Sequence, residues 1–304
     1  MTRISQHYGI VGPVPFVDVE VDADNRLFLD PHAIRLARGP QPFQDAAVQS
    51  LDSFFGQVTR CVLSGSNADR GHGESVLQRF TEPWETRLGM SAAGFSGHGG
   101  AAEIGSRIWT ALNDDVRALV DVGALRRLEH LPLFVEGVDR DITSDIATRI
   151  VFAPLAQFTA DVVSRFPEFT AGAHRVAGVS RQVWDRSASC WRDASVRLPI
   201  ANDRVLLLVP KGWARSTLLM SAGRFYETTI LSFAQLEQAV RDSRGKLLTT
   251  PKDRLKKQSG LARGRGTNQA VTLRAIRTEE DLITAFENFV ADQIAKSERD
   301  RGTA

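Results

Sequence analysis

Residues 131–150 read Leu-Pro-Leu-Phe-Val-Glu-Gly-Val-Asp-Arg-Asp-Ile-Thr-Ser-Asp-Ile-Ala-Thr-Arg-Ile, and our interpretation of the fold begins there. Positions 133–138 are a short, largely apolar run closed by Gly137, which predicts a buried strand. Ile146 and Ile150 then recur at helical spacing, so we expect a helix from about residue 143. A strand that runs into a turn rich in carboxylates is a rigid support for metal ligands or a general base.

The composition is that of a globular protein. The chain has 304 residues, of which 42% are hydrophobic and 24% are charged. No apolar run approaches the roughly 18 residues of a membrane span, and the first residues lack the apolar segment of a signal peptide. Cys61 and Cys190 are too few for a disulfide framework or a cysteine-based zinc site. We therefore expect a cytoplasmic protein without a membrane partner.

Helical patterns dominate the rest of the chain. Apolar spacing predicts long helices over 44–63, 101–122, 144–166 and 279–294, and Asp30-Pro31 predicts a helix start. Residues 205–209, Val-Leu-Leu-Leu-Val, predict a central strand, whereas 179–191 favour a helix. The predicted class is α+β, with mixed α/β as the alternative: helix-rich, with a small central sheet of four to five strands. We expect a main domain at 1–240, a basic linker at 241–277 and a C-terminal helix within 278–304.

Two aspartates downstream of the predicted strand are the candidate metal ligands. Asp141 and Asp145 lie four positions apart and would share one face of a helix. Converging carboxylates suit Mg²⁺ or Mn²⁺, which could polarise a phosphoryl oxygen and supply a hydroxide nucleophile. Glu85 is a further candidate ligand. The alternative is an ordinary helix start, where Asp side chains cap the backbone and favour the positive end of the dipole.

Lys211 follows the predicted central strand directly. Its position is similar to that of the strand-end lysine in nucleases with a Pro-Asp…Asp/Glu-x-Lys core, where the lysine offsets phosphate charge. Val209 stands where that pattern has an acid, however. The alternative is a core strand that reaches solvent through a lysine.

A glycine-rich loop, residues 94–100, is a candidate anion site. Backbone N–H groups at the helix start that follows could hold a phosphate, and His98 lies within the loop. No strand is predicted before the loop, so a dinucleotide-binding motif is poorly supported. If the protein binds nucleotide through this loop, nucleotide should produce a thermal shift. The alternative interpretation of the loop is an ordinary helix start.

Positive charge is concentrated near the C-terminus. The net charge is +2, yet residues 242–277 hold ten basic and two acidic residues, so the remainder carries −6. This asymmetry predicts contacts with an anionic partner, above all the nucleic-acid backbone. The candidate phosphate-binding residues are Lys252, Arg254, Lys256, Lys257, Arg263 and Arg265, together with Arg87 in the upstream stretch Trp84-Glu-Thr-Arg87. A solvated basic linker is the alternative.

Four sequence blocks carry a resemblance to a known group of proteins: 27–31, 82–89, 137–145 and 205–211. Together they resemble an uncharacterised bacterial family found near mobile or phage-defence genes. The resemblance implies a genomic setting and no particular activity.

The sequence thus predicts a divalent-metal-dependent phosphodiesterase, a nuclease acting on DNA or RNA, with Asp141, Asp145 and Lys211 as its catalytic residues. The alternative function is a non-catalytic nucleic-acid-binding or scaffold subunit of a multi-protein defence complex. Zincin, P-loop and serine-hydrolase motifs are absent from the sequence.

Overall fold

The computed structural model describes residues 2–81, 83–89 and 98–302, without the side chains of 98–101, 301 and 302. The chain forms two compact units. Unit 1 comprises Met1–Thr110, Arg126–Glu129 and Val138–Leu218. Unit 2 comprises Ala111–Leu125, His130–Gly137 and Leu219–Ala304. The sequence had predicted a single main domain up to residue 240.

Helices account for most of the regular structure. They are α1 (Ile4–Tyr8), α2 (Pro31–Leu36), α3 (Phe43–Leu63), α4 (Asn67–Leu77), α5 (His98–Asn113), α6 (Arg117–Asp121), α7 (Leu131–Phe134), α8 (Arg140–Ile150), α9 (Phe152–Arg165), α10 (Ala222–Phe225), α11 (Leu231–Glu237), α12 (Lys252–Leu255), α13 (Arg265–Ile276) and α14 (Leu282–Gly302). Short 3₁₀ turns occur at Trp84–Thr86, Leu128–His130 and Pro167–Thr170, and a π-helical stretch, Tyr226–Ile230, joins α10 to α11.

The strands form three small antiparallel sheets within the described residues. They are β1 (Phe28–Leu29), β2 (Val176–Asp185), β3 (Cys190–Ala201), β4 (Arg204–Val205), β5 (Ala214–Arg215), β6 (Val240–Arg241) and β7 (Leu247–Leu248). Their pairings are β1–β5, β2–β3–β4 and β6–β7. The class α+β is confirmed, but the prediction of one central sheet with four to five strands is wrong.

The predicted strand at 133–138 is not formed. Its first residues belong to the helical turn α7, where Pro132 stands in the first turn and its fixed φ suits a helix. Gly137, at φ 74°, then turns the chain. Asp139 caps α8, which therefore begins at Arg140, earlier than residue 143. A short apolar run is ambiguous between strand and helix because both bury it equally well.

The apolar run 205–209 is buried, as expected for a core segment, but only β4 pairs there. The next backbone N–H groups donate to scattered acceptors: Leu206 to the Pro199 carbonyl (2.8 Å), Leu207 to the Glu85 carbonyl (2.8 Å) and Leu208 to the Thr159 hydroxyl (3.0 Å). These contacts satisfy the buried backbone without a sheet ladder. The prediction of a central strand is therefore wrong, although residues 205–209 are buried as that prediction required.

Residues 179–191 belong to the β2–β3 hairpin, so the helix predicted there is wrong. Trp184 and Trp191 face each other across the two strands. Their rings pack with Phe54 of α3 and Phe80, with centroid separations of 5.0–5.8 Å. Aromatic cross-strand pairs stabilise a hairpin, and this cluster anchors β2 and β3 in the core of unit 1.

Helix predictions based on long periodic patterns are confirmed in outline. Helix α3 runs over Phe43–Leu63, close to the predicted 44–63, and Asp30 caps α2 by accepting the N–H groups of His32 and Ala33. In unit 2, the rings of Phe134, Phe225 and Phe286 pack together. The segment predicted as a basic linker contains the hairpin β6–β7 and helices α12 and α13.

No single helix in the described part of the chain has both the length and the apolar character to cross a bilayer. Helices α8 and α9 meet that criterion only as a pair, by length and composition, and a bend of 71° separates them.

A buried hydroxyl connects α8 to the first sheet. Ser144 accepts the backbone N–H of Leu29 in β1 at 2.9 Å, and both residues are buried. We expect Ser144→Ala to lower the free energy of unfolding by about 1–3 kcal/mol, because it leaves that N–H without an acceptor. Ser164→Ala is the matched control, since Ser164 donates to a carbonyl within α9 at an exposed position, and it should cost less than about 0.5 kcal/mol. Equal urea midpoints for the two variants would contradict the assignment.

Candidate functional site

The aspartates of α8 lie at its start. Asp139 caps the helix by accepting the N–H groups of Asp141 (3.1 Å) and Ile142 (3.4 Å). Asp141 stands in the first turn, where its charge favours the positive end of the helix dipole. Asp145 follows one turn later, and both side chains are half-buried. These contacts support the helix-start interpretation, while the metal site stays a prediction.

The third proposed ligand, Glu85, is held elsewhere. Its side chain is 1% exposed and lies between two arginines. Arg181 of β2 donates from Nε to Oε1 at 2.7 Å, and Arg149 of α8 donates from Nη2 to Oε2 at 3.2 Å. Both carboxylate oxygens are thereby engaged. Among the residues that the structure describes, no group of three or more His, Cys, Asp or Glu side chains could hold a metal ion.

Glu85 also joins several elements of unit 1. Its backbone carbonyl accepts the N–H of Leu207, and its partner Arg149 donates from Nε to the Thr81 carbonyl at 2.6 Å. Burial lowers the pKa of Arg149, and the neighbouring Glu85 charge opposes that shift. We call Glu85, Arg149 and Arg181 the buried ion network. It connects the turn Trp84–Thr86 to α8, β2 and the buried run 206–209.

The buried ion network can be tested by removing its negative charge. Glu85→Gln leaves two arginines without their shared counter-charge, and we expect the free energy of unfolding to fall by about 3–5 kcal/mol. Asp203→Asn is the control, because Asp203 is almost fully solvated and its ion pair with Arg175 spans 3.6 Å; it should leave the unfolding midpoint unchanged. Equal midpoints in denaturant for both variants would show that the network contributes nothing.

Arg87 follows two residues after Glu85 and points into the interior. It is 5% exposed, and its backbone is left-handed, with φ 58°. Its Nε donates to the Val21 carbonyl at 3.1 Å and its Nη1 to the Trp84 carbonyl at 2.7 Å. Its Nη2 is buried without a hydrogen-bond acceptor in the described part of the chain. Arg87 was predicted to contact phosphate, and the structure makes it a buried cation that forms no ion pair within the described residues.

A cavity of about 570 Å³ lies beside Arg87 in unit 1. It is lined by Val21, Asp22, Ala23, Asp24, Arg87, Asn202 and Arg204. Asn25 fixes the turn on one side of the cavity: its side-chain amide donates to the carbonyls of Ala23 and Arg87 at 2.9 and 3.0 Å. The sequence indicated Arg87 alone, because nothing in the local pattern relates residues 22–24 to Arg204.

Lys211 lines a different depression. Its side chain is exposed, and with Arg3 and Asp18 it borders a cavity of about 520 Å³ in unit 1. The Asp18 carboxylate already accepts the N–H (2.9 Å) and the hydroxyl (2.6 Å) of Ser5. Lys211 therefore stands at a surface hollow with a second cation, Arg3, and its catalytic role stays a prediction.

Half of the predicted phosphate contacts in the basic segment have partners within unit 2. Lys252 donates to the Glu227 carbonyl at 2.7 Å, and Lys256 pairs with the Glu227 carboxylate at 2.9 Å. That hydrogen bond raises the pKa of Lys256. Arg265 pairs with Glu136 at 2.9 Å. These three cations are therefore engaged by groups of unit 2.

The other three predicted contacts are exposed. Arg254, Lys257 and Arg263 form no ion pair within the described residues. Three more exposed cations within residues 242–277 share this property, namely Arg244 and Lys246 in the β6–β7 turn and Arg277 after α13. We call these six residues the exposed cations of unit 2. Most of the glycine-rich loop 94–100 lies outside the described residues, as does Glu82.

The α+β fold and the buried ion network belong to a domain that a family model also detects. Residues 11–221 match the model described as Domain of unknown function (DUF8370), so the chain belongs to that family. No curated protein and no solved structure matches the chain. The matched region contains the buried ion network and the cavity beside Arg87, and it ends before the basic segment.

Proposed function

We propose that the protein binds nucleic acid through the exposed cations of unit 2, by phosphate contacts without base readout. The observation that carries this proposal is the set of six exposed cations that form no ion pair within the described residues: Arg244, Lys246, Arg254, Lys257, Arg263 and Arg277. Cations of this kind attract the phosphate backbone and displace its counterions.

Several nearby acidic side chains are engaged by groups other than these cations. Glu227 is paired with Lys256, Glu136 with Arg265, and Glu237 with Arg274 at 2.7 Å. The Asp242 carboxylate accepts the backbone N–H groups of Arg244 and Lys246 and so shapes the β6–β7 turn. Arg254 lies in α12, and the other five cations lie in turns next to β6, β7, α12 and α13. This ordered backbone lowers the entropy that binding would cost relative to a disordered linker.

The same segment lacks the side chains that read bases. Residues 241–277 contain no Phe, Tyr or Trp, so stacking on aromatic rings is not available there. Binding should be tolerant of sequence and strongly dependent on salt. If all six cations contact phosphate, the logarithm of the association constant should fall with the logarithm of salt concentration with a slope of about −5.

A charge-matched comparison tests this interface. We expect Arg244→Gln/Lys246→Gln/Lys257→Gln to weaken binding to a fluorescent duplex and to reduce the magnitude of the salt slope by up to about three, because each substitution removes one phosphate-binding cation. The control is Arg38→Gln/Arg79→Gln/Arg197→Gln, which removes the same charge from exposed positions in unit 1. If both triple variants bind equally well, the interface is not on unit 2.

Metal-dependent cleavage of phosphodiester bonds is our second candidate function. Asp141 and Asp145 lie one turn apart and half-buried on α8, and this observation favours it. With Glu85 engaged by arginines, Mg²⁺ or Mn²⁺ would be held by the two aspartates and several waters, an arrangement that Mg²⁺ tolerates. We further propose that the protein is cytoplasmic, as its composition indicates, and that it works with a protein partner. The sequence resemblance adds only the setting of bacterial mobile or defence genes.

A cleavage assay tests the second candidate. Plasmid, linear duplex, single strands and RNA would be incubated with Mg²⁺, Mn²⁺ or EDTA. We expect metal-dependent cutting that Asp141→Asn/Asp145→Asn abolishes and that Asp45→Asn/Asp161→Asn, at two surface positions on α3 and α9, retains. Salt-sensitive binding without cutting under any of these conditions would leave only the non-catalytic function.

A further inference from the structure

The cavity beside Arg87 contains a cation whose surroundings are incomplete. Arg87 is 5% exposed, and its Nε and Nη1 donate to main-chain carbonyls. Its Nη2 has no acceptor, and it forms no ion pair, among the residues that the structure describes. Buried charged donors almost always have a partner, because leaving one unpaired is costly. Arg87 lines the cavity. Its Nη2 is itself buried, so a molecule seated there supplies the missing acceptor after a small shift of the side chain.

A second guanidinium borders the same cavity. Arg204 is exposed and forms no ion pair within the described residues. Burial, and then repulsion from Arg204, lower the pKa of Arg87. A carboxylate would relieve that repulsion and accept hydrogen bonds from both side chains, since the planar guanidinium matches the geometry of a carboxylate.

Two acidic residues, Asp22 and Asp24, also line the cavity. The Asp22 carboxylate accepts a hydrogen bond from the Asn202 amide, whereas Asp24 is exposed and forms no ion pair within the described residues. Two aspartates balance two arginines, so the lining has no net charge. A simple anion would be repelled by the aspartates as much as it is attracted by the arginines.

The turn that carries the aspartates is already ordered. Asn25 accepts the N–H of Glu20 at 3.0 Å and donates to the Ala23 carbonyl, and its own N–H donates to the Arg87 carbonyl at 2.9 Å. Arg87 itself is held in a left-handed conformation that is unfavourable for a side chain of its size. A cavity of about 570 Å³ is within the range of small-molecule sites and exceeds the volume of an amino acid.

We propose that this cavity binds a small zwitterion of the α-amino acid class, with its carboxylate on Arg87 and Arg204 and its ammonium group on Asp24. The site is independent of the nucleic-acid interface, because it lies in unit 1 and uses none of the exposed cations of unit 2. It is formed by residues within the region 11–221.

Thermal shift of the full chain with each free amino acid provides the first test. Acetate, ethylammonium and inorganic phosphate serve as single-charge probes at the same concentration. We expect one or a few amino acids to raise Tm, because a ligand that binds only the folded state stabilises it, and the single-charge probes to leave Tm unchanged. Equal shifts with acetate or phosphate would identify a plain anion site and overturn the proposal, as would no shift with any amino acid.

Calorimetry with the best amino acid then locates the site. Arg204→Gln and Asp24→Asn, both at exposed positions, should each raise Kd by about tenfold or more. Arg26→Gln is the control, because Arg26 is exposed on the same turn but does not line the cavity, and its Kd should equal that of the wild type. Duplex binding should be unchanged in all three variants. Binding that is insensitive to both Arg204→Gln and Asp24→Asn would place the ligand elsewhere.

Discussion

The Glu85 carboxylate, buried between Arg149 and Arg181, is the contact on which the architecture of unit 1 depends. A charge that is 1% exposed must be matched where it lies, because water cannot solvate it. The matching arginines come from α8 and β2, and the Glu85 main chain fixes Leu207. Four segments that are distant in sequence must therefore be in place together. Such a network favours one arrangement of the chain over other compact ones, which an apolar core alone does less strictly.

The burial and the left-handed backbone of Arg87 are related to the same turn. The 3₁₀ turn Trp84–Thr86 ends at Arg87, whose left-handed backbone lets its N–H close the turn on the Trp84 carbonyl at 3.2 Å. Both Glu85 oxygens accept hydrogen bonds from Arg181 and Arg149, whereas Arg87 donates to the carbonyls of Val21 and Trp84. Arg87 is therefore buried by contacts with the main chain and forms no ion pair within the described residues. The cavity of about 570 Å³ lies beside this buried guanidinium.

The sequence predicts the parts of this structure that depend on local pattern. Helix α3 and the Asp30 cap could be predicted because periodicity and capping act within a few residues. The runs 133–138 and 205–209 could not, because burial makes a segment apolar whether its backbone bonds lie in a helix, a ladder or scattered contacts. Glu85 was predicted as a metal ligand, whereas the arginines that bind its carboxylate are 64 and 96 positions away. No local signal relates charges at that separation.

Arginine side chains make different kinds of contact in the two units. In unit 1, Arg87, Arg149 and Arg181 donate inward to carbonyls and to one carboxylate. In unit 2, Arg265 pairs with Glu136 and Arg274 with Glu237, whereas the exposed cations form no ion pair within the described residues. The region 11–221 that matches the family model includes Arg87, Arg149 and Arg181, and it ends before Arg265 and Arg274. The inward network and its cavity therefore belong to the matched domain, whereas the exposed cations lie outside it.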